Sequence, residues 1–559
     1  MTATAGTNVD RTHAEGSRLH SVARRALVLA PLLAFLLTVG LPPPHRTQEA
    51  RVLETAREMV GGGWRAWMVP HVNGRMRLQK PPLAYWLTAA SIKTFGVSVW
   101  AGRLPMAIAG VLTLAATYAA CSWLFDEDVA ALAYAALSGC LLFARLAQHA
   151  ETDILAALFT TTATYALWRA WAARRRDNET SASVPIGDFG WHHLAGVSIA
   201  LATLAKGPPA AFPPLFLLTL LAIEGGWAVL WRFVRSGAPF VSAAIALPWF
   251  IYIARVPEAA VLTSELGVIV EGVGHRGGPL FYLVNIYIQS APWLGILFVA
   301  LAVAATRWRT DWRLRGLLVW LLTVLVPLSF MGQKQAHYTM FALPPVAILV
   351  GWCVRQAMSG GDPLLRRTIS WILVAMVVVA VLAVPGPLVA GHVLRDGIRP
   401  IDLLMTGVLA VAAGTACVLQ VRSGIVRSAP WIVGAGAVVI ILGVSAWGPS
   451  LDRPTMGDLA RELKTRFGDG PYAFYARENL PLVFEMRQVI PELDQNEPDP
   501  ASGAQPGLVI VAIDPGENEL RALRRLEHVL ALTVDEKQFE VYRPNPSPSV
   551  ATSPAGSGE

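Results

Sequence analysis

Apolar stretches of membrane-spanning length recur along most of this chain, at about residues 26–41, 103–122, 129–146, 153–171, 192–205, 209–224, 237–254, 280–302, 315–331, 338–356, 368–390, 402–420 and 430–447. Hydrocarbon offers no hydrogen bonds to an exposed backbone, so such runs must be helices, and about thirteen of them make an all-α polytopic membrane protein. Some are interrupted by Gly or Pro. With 54% hydrophobic and 15% charged residues, the chain is too apolar for a soluble multidomain protein. The first run follows Arg24 and Arg25 like the apolar region of a signal peptide. No small-residue cleavage site follows it and Pro42-Pro43-Pro44 stop it, so it reads as an uncleaved first helix.

The net charge of +7 reflects topology. Arg174-Arg175-Arg176, Arg232 with Arg235, the Arg307 to Arg315 cluster, Arg366-Arg367, and Arg422 with Arg427 all fall in alternate loops. The positive-inside rule then puts the N-terminus and these loops in the cytoplasm. No polybasic tract with interleaved aromatics is present, so nucleic acid is not an expected partner. The fifth run, 192–205, is short, and dropping it would invert everything after it. The four cysteines lie far apart inside apolar runs, without metal-ligand spacing, and read as packed free thiols.

The expected organisation is a cytoplasmic segment 1–25, a transmembrane domain 26–447 with a first periplasmic loop at 42–102, a periplasmic α/β domain at 448–544, and a disordered tail at 545–559. Within the first loop, 48–60 and 83–95 have amphipathic helical patterns. The second should lie on the membrane surface through Tyr85, Trp86, Ile92 and Phe95. After Trp447, residues 452–467 read as a polar helix, and 472–476, 507–513, 529–533 and 538–542 as strands.

TQEARVLETARE, residues 47–58, places Glu49, Arg51, Glu54, Arg57 and Glu58 directly against the bilayer. Taken alone, it reads as a solvated helix face. Other unusual charges fall on the same expected side: Lys80; Glu151 and Asp153 in HAETD; Lys206; His275 and Arg276 in GHRGGP; and Lys334, His337 and Tyr338 in GQKQAHY. Charges at a bilayer edge are costly and tend to mark function or paired structure. A shared site is the economical explanation. Cations can neutralise a departing phosphate and a carboxylate can take a proton from a hydroxyl, which suits sugar transfer from a lipid-linked phosphate. Lys80 also fits an interfacial snorkelling residue, Lys206 a partner of helix C-terminal carbonyls, and His275 a loop histidine. Asp153 is the strongest candidate, because a carboxylate opening an apolar helix is otherwise justified only as an N-terminal cap.

The 48–105 segment, with LAKGPP, HRGGPLFY and the Lys334-His337-Tyr338 turn in the same order, resembles bacterial aminoarabinose transferases and the wider protein O-mannosyltransferase-like glycosyltransferases of the GT-C fold. The resemblance covers about residues 20–360. It implies an inverting displacement with a polyprenyl-phosphate sugar as donor and a periplasmic lipid, glycan or protein as acceptor. It places the family's acidic pair on Gln48 and Glu49, the next Arg on Arg51, the Glu-Lys-Pro motif on Gln79, Lys80 and Pro81, and the second carboxylate on Asp153. Glu49 and Asp153 are then the expected acid–base or charge-stabilising groups. Lys80, Lys334 and Arg51 would serve the donor phosphate, with Gln48, Gln79, Glu151, His275, Arg276, His337 and Tyr338 in support.

Two positions depart from that pattern. Gln48 and Gln79 are neutral amides where carboxylates are implied, and Gln48 cannot act as a general base. Glu49 or Asp153 could substitute, or an acceptor that is itself an ionised phosphate would need no base. The loss of a carboxylate at Gln79 makes a bound divalent metal doubtful. Two other readings remain open: a transporter or binding protein for lipid-phosphate sugars, and a catalytically weakened relative.

Overall fold

The computed structural model describes residues 21–41, 43–44, 47–177, 187–256, 277–395, 397–448, 455–493, 507–534 and 537–544. Among these, seven helices are long and apolar enough to cross a membrane: Ser21–Thr38, Val99–Leu124, Trp312–Phe330, Ala336–Ser359, Pro363–Ala383, Pro400–Arg422 and Ile425–Trp447. Ala228–Arg235 and Ala238–Ile253, bent by 60°, make an eighth if taken as one span. The chain is a largely helical membrane protein, as its hydropathy requires, but the thirteen apolar runs do not appear as thirteen unbroken helices.

Breaks within the runs explain part of the difference. The run at 129–146 forms two helices, Glu127–Ser138 and Leu141–Leu146, and that at 280–302 forms Phe281–Gln289 and Leu294–Thr306. Broken helices survive in a membrane only where protein satisfies the freed backbone groups. Here the two breaks face each other. Leu141 N–H donates to the Ala291 carbonyl at 3.0 Å, and the Trp293 indole N–H donates to the Ala136 carbonyl at 2.7 Å. Gly139 permits this approach, since a Cβ there would lie 3.0 Å from the Trp293 ring, and it also admits Ala437 of the Ile425–Leu442 helix, whose Cα would be 2.7 Å away.

The short fifth run forms part of the helix Gly187–Ala205, which packs along Thr152–Asp177. Asp153 begins one helix and Lys206 follows the other, yet the two side chains form an ion pair. The chain therefore goes out along one helix and returns along the other. Nearly all of the 336–359 segment is buried, which explains why its sequence is apolar on every side. The turn that opens this segment is consequently held in place by the bundle core.

The first loop folds against itself. Thr47–Gly61 and Leu83–Phe95 occur where amphipathic helices were expected, but they pack together. Tyr85 and Ile92, each 1% exposed, are buried with Leu53, Ala56 and Met59, whereas Phe95 remains exposed beside Trp100. The face expected to lie on the membrane is thus split, because the neighbouring helix presents an apolar stripe at matching spacing. Between them, His71–Val72 and Arg75–Met76 pair as a hairpin around Asn73-Gly74. Both turn residues have positive φ, 52° and 73°, the geometry that favours Asn-Gly in a two-residue hairpin.

The C-terminal region carries a five-stranded mixed sheet in the order Glu492–Leu493, Tyr472–Tyr475, Val509–Ile513, Lys537–Arg543, Glu527–Val534. Four of these strands match the expected ones, and Glu492–Leu493 is a further edge strand. The expected polar helix starts at Met456, where Thr455 and Asp458 form a capping box. The sheet region docks on the first loop. Asn73 donates to the Ile490 carbonyl and accepts from the Ile490 N–H, each at 2.8 Å, and Arg75 pairs with Glu492 at 2.9 Å. First loop and C-terminal region therefore lie on one side of the membrane, so an even number of crossings separates them. The N-terminal residues 1–20 and the tail 545–559 lie outside the described residues.

Candidate active site

Five separate stretches line a cavity of about 200 Å3: Gln48 and Arg51; Arg77, Gln79 and Lys80; Glu151, Thr152 and Asp153; Lys206; and Gln333, Gln335, His337 and Tyr338. Each reaches it for a local reason. Gln48 and Arg51 are three apart on Thr47–Gly61 and so share a face. Arg77 and Gln79 lie on the stretch leaving the hairpin, where Arg77 N–H still bonds to the Pro70 carbonyl at 2.7 Å. Asp153 lies in the first turn of Thr152–Asp177, where the helix dipole favours a carboxylate. Gly207, with φ +81°, turns the chain sharply after Lys206.

Asp153 is the electrostatic centre. It is 2% exposed, its Oδ1 is hydrogen-bonded to the Lys206 ammonium, and His337 Nε2 lies 3.8 Å away. Lys206 also sits 4.7 Å from the centre of the Tyr338 ring, while His337 and Tyr338 pack edge-on at 4.8 Å. Lys206 thus does not serve backbone carbonyls, the role a helix C-terminus would suggest, because an approaching carboxylate offers a stronger, charge-assisted bond. Of the expected site residues, Gln48, Arg51, Gln79, Lys80, Glu151, Asp153, His337 and Tyr338 come together here. His275 and Arg276 lie outside the described residues.

Two expected residues do something else. Lys334, expected at the donor phosphate, donates from Nζ to the Ser329 carbonyl at 2.5 Å and lies 5.8 Å from the Tyr282 ring centre. Ser329 is in the last turn of Trp312–Phe330, where carbonyls lack helical partners, so this lysine closes the helix end. Its neighbours Gln333 and Gln335 face the cavity instead.

Glu49, expected as an acid–base group, is fully buried and accepts from Arg103 Nε at 2.6 Å, Arg103 Nη2 at 2.9 Å and Ala150 N–H at 2.9 Å. Burial works to raise its pKa, but the Arg103 guanidinium and these hydrogen bonds hold the carboxyl below its ordinary value. Such a carboxylate is a latch between the first loop, the Val99–Leu124 helix and the turn leading to Asp153. Glu54 is also fully buried, paired with Arg57 at 2.6 Å. The charged segment is therefore not a solvated face.

Sequence reasoning missed Arg103, Arg77 and the hairpin. Each had a signal: an arginine inside an apolar spanning run, the alternation in RMRLQK that follows Asn-Gly, and Asn-Gly itself. A divalent cation finds a poor donor set. Asp153 already holds Lys206, Gln79 contributes only an amide, and among the described residues no three His, Cys, Asp or Glu side chains are grouped to hold a metal.

Residues 79–253 match the dolichyl-phosphate-mannose-protein mannosyltransferase family. A protein of Sodalis glossinidius named undecaprenyl phosphate-alpha-4-amino-4-deoxy-L-arabinose arabinosyl transferase 2 is 27% identical over 440 residues, 74% of this chain and 73% of that protein. An uncharacterized protein of Aquifex aeolicus is 27% identical over 58% of this chain and 62% of its own length. A Pseudomonas aeruginosa arabinosyl transferase of the same name is 26% identical over 62% of this chain and 63% of its own. The crystal structure of ArnT from Cupriavidus metallidurans bound to undecaprenyl phosphate superposes with a TM-score of 0.72 at 19% identity, covering 92% of this chain and 97% of that one. This last likeness speaks to the fold. The chain is thus a multi-pass membrane protein that shares the fold of that ArnT structure and is similar in sequence to the mannosyltransferase family over 79–253 and to these arabinosyl transferases.

Proposed function

We propose that this protein moves a sugar from a polyprenyl-phosphate carrier to a lipid, glycan or protein on the periplasmic face, with inversion at the anomeric carbon. The observation that carries the reading is the convergence of Arg51, Arg77, Lys80 and Lys206 with Glu151 and Asp153 in one cavity, although they are scattered from position 51 to 206. The arginine-rich alternate loops support a cytoplasmic N-terminus, with the first loop, the cavity and the C-terminal sheet on the periplasmic side.

In the reaction, an acceptor oxygen forms a bond to the anomeric carbon while the bond from that carbon to the carrier phosphate breaks. The electron pair leaves with the phosphate. Lys80, Arg51 and Arg77, which line the cavity, would stabilise that growing negative charge, since preorganised cations act strongly where water is excluded. Asp153 would receive the proton of a hydroxyl acceptor, with Lys206 and His337 fixing its position. A lipid-phosphate acceptor would arrive already ionised and need no proton acceptor. Glu49 would then act only by holding the turn before Glu151.

Mass spectrometry of envelope lipids and glycans from cells with and without this protein tests the reading. Loss of one glycosylated species is expected, with accumulation of the polyprenyl-phosphate sugar. An unchanged envelope and no build-up of donor would overturn it.

A further inference from the structure

We propose that a second cavity, at the far end of the bundle from the candidate active site, holds the phosphate of an anionic phospholipid. Leu124, Arg307, Thr310, Asp311, Trp312 and Arg313 line this space of about 560 Å3. Two helices fix its position. Trp312–Phe330 starts in its wall and ends three residues before Gln333 of the active-site cavity, a rise of about 27 Å at 1.5 Å per residue. Val99–Leu124 holds Arg103 against the first loop near one end and places Leu124 in the second cavity at the other. That separation is close to the thickness of the hydrocarbon layer, so the second cavity lies at the headgroup level of the opposite leaflet. In the orientation proposed above, this is the cytoplasmic leaflet.

The wall is basic, and only part of its charge is matched. Arg313 grips the Asp311 carboxylate through Nε and Nη2, each at 3.0 Å, and donates to the Leu124 carbonyl at 3.3 Å. Arg307 forms no ion pair among the described residues. Its guanidinium lies 5.6 Å from the centre of the Trp352 ring and is half-buried. A guanidinium held over an aromatic face still presents its N–H edge to an oxyanion. The loop that carries it is braced. The Arg307 carbonyl accepts from Thr310 N–H at 3.1 Å and from Asp311 N–H at 3.0 Å, and Arg315 donates to the Trp308 carbonyl at 2.6 Å. Binding there costs little ordering.

A phosphodiester supplies the oxyanion that Arg307 lacks, in a charge-assisted bond. Basic pockets between helices on the cytoplasmic side attract such headgroups, and a zwitterionic lipid brings a cation of its own that offsets the attraction. The surroundings favour a lipid over free phosphate. Trp308 and Trp312 are the amphipathic residue type of the membrane–water boundary. Phe298 and Leu322 are exposed on the two helices that the loop joins, which leaves apolar surface for acyl chains.

Native mass spectrometry of the full chain, with phosphatidylglycerol, phosphatidylcholine or inorganic phosphate added separately, tests the proposal. Phosphatidylglycerol should be retained at least about fivefold better than phosphatidylcholine, and Arg307→Gln should remove most of that advantage. A phosphatidylglycerol with a photoreactive headgroup should label the 307–313 peptide of the natural chain. Equal retention of the two lipids by the natural chain, or labelling confined to other peptides, overturns the proposal whether or not the variant folds. An advantage unchanged by Arg307→Gln also overturns it. Retention of inorganic phosphate without any preference between the lipids would assign the cavity to a soluble anion and overturn the lipid.

Discussion

The Glu49 carboxylate and the Arg103 guanidinium form a two-pronged ion pair, with bonds of 2.6 and 2.9 Å and both side chains fully buried. Arg103 belongs to a spanning helix and Glu49 to the loop before it, so the pair determines where the loop sits over the bundle. Because the same carboxylate accepts the Ala150 N–H, it also sets the turn leading to Asp153.

Breaking one side of this pair strands a buried charge. Glu49→Gln should destabilise the protein by about 3–5 kcal/mol, while replacing both partners with apolar residues should cost much less. Thermal unfolding of the single variants and the double variant in detergent measures the difference. Additive losses would mean that the pair is not coupled.

Asp153→Asn and Lys80→Ala should each reduce sugar transfer by at least about 100-fold, the range for loss of a proton acceptor or a transition-state charge. Membrane abundance should be unchanged. Quantitative blotting alongside transfer assays separates lost chemistry from lost protein, and retained activity in both variants would defeat the assignment.

The two lysines distinguish sequence expectation from geometry. Lys80→Met, which removes a lysine that lines the cavity, should weaken binding of undecaprenyl phosphate by about tenfold or more. Lys334→Met should stay within about twofold, since its ammonium is bonded to Ser329. Binding isotherms on the two proteins decide between them, and a reversed order would return Lys334 to the phosphate.

Asn73 bonds twice to Ile490 in the docked C-terminal region. Asn73→Ala should cost about 1–3 kcal/mol, because it leaves the buried Ile490 groups unmatched and puts alanine at positive φ. Hydrogen exchange at Ile490 and protease sensitivity around it should rise together. Unchanged protection would show that the interface does not depend on this residue.

Glu58 gives the first loop a pH dependence. Burial first, then the adjacent Glu54 carboxyl, raise its pKa to about 7, although it accepts the Gly74 N–H. The unfolded chain loses this proton near the ordinary carboxyl value of 4.5, while the folded chain retains it to about 7. Stability contributed by this group therefore falls as pH rises between those values and then levels off. Glu58→Gln should flatten that slope in unfolding experiments, and a slope unaltered by the substitution would assign it elsewhere.

Hydropathy alone required a helical membrane protein, because an apolar run has no other way to satisfy its backbone in lipid. Short strand-like runs such as YAFYA and GLVIVAI likewise marked four of the five C-terminal strands, and the motif series pointed to Lys80 and Asp153. Local patterns could not report which charges would meet. Glu49 and Asp153 are both acidic residues at a bilayer edge in the sequence, yet one lies against Arg103 and the other faces a cavity with Lys206, 53 positions away. Likewise the sequence offers Lys334 to the phosphate and Lys206 to helix-end carbonyls, whereas Lys334 bonds the Ser329 carbonyl and Lys206 bonds Asp153. An ionised side chain takes its role from the counter-charge that packing brings within hydrogen-bond reach, and that depends on how distant helices pack, which no single segment encodes.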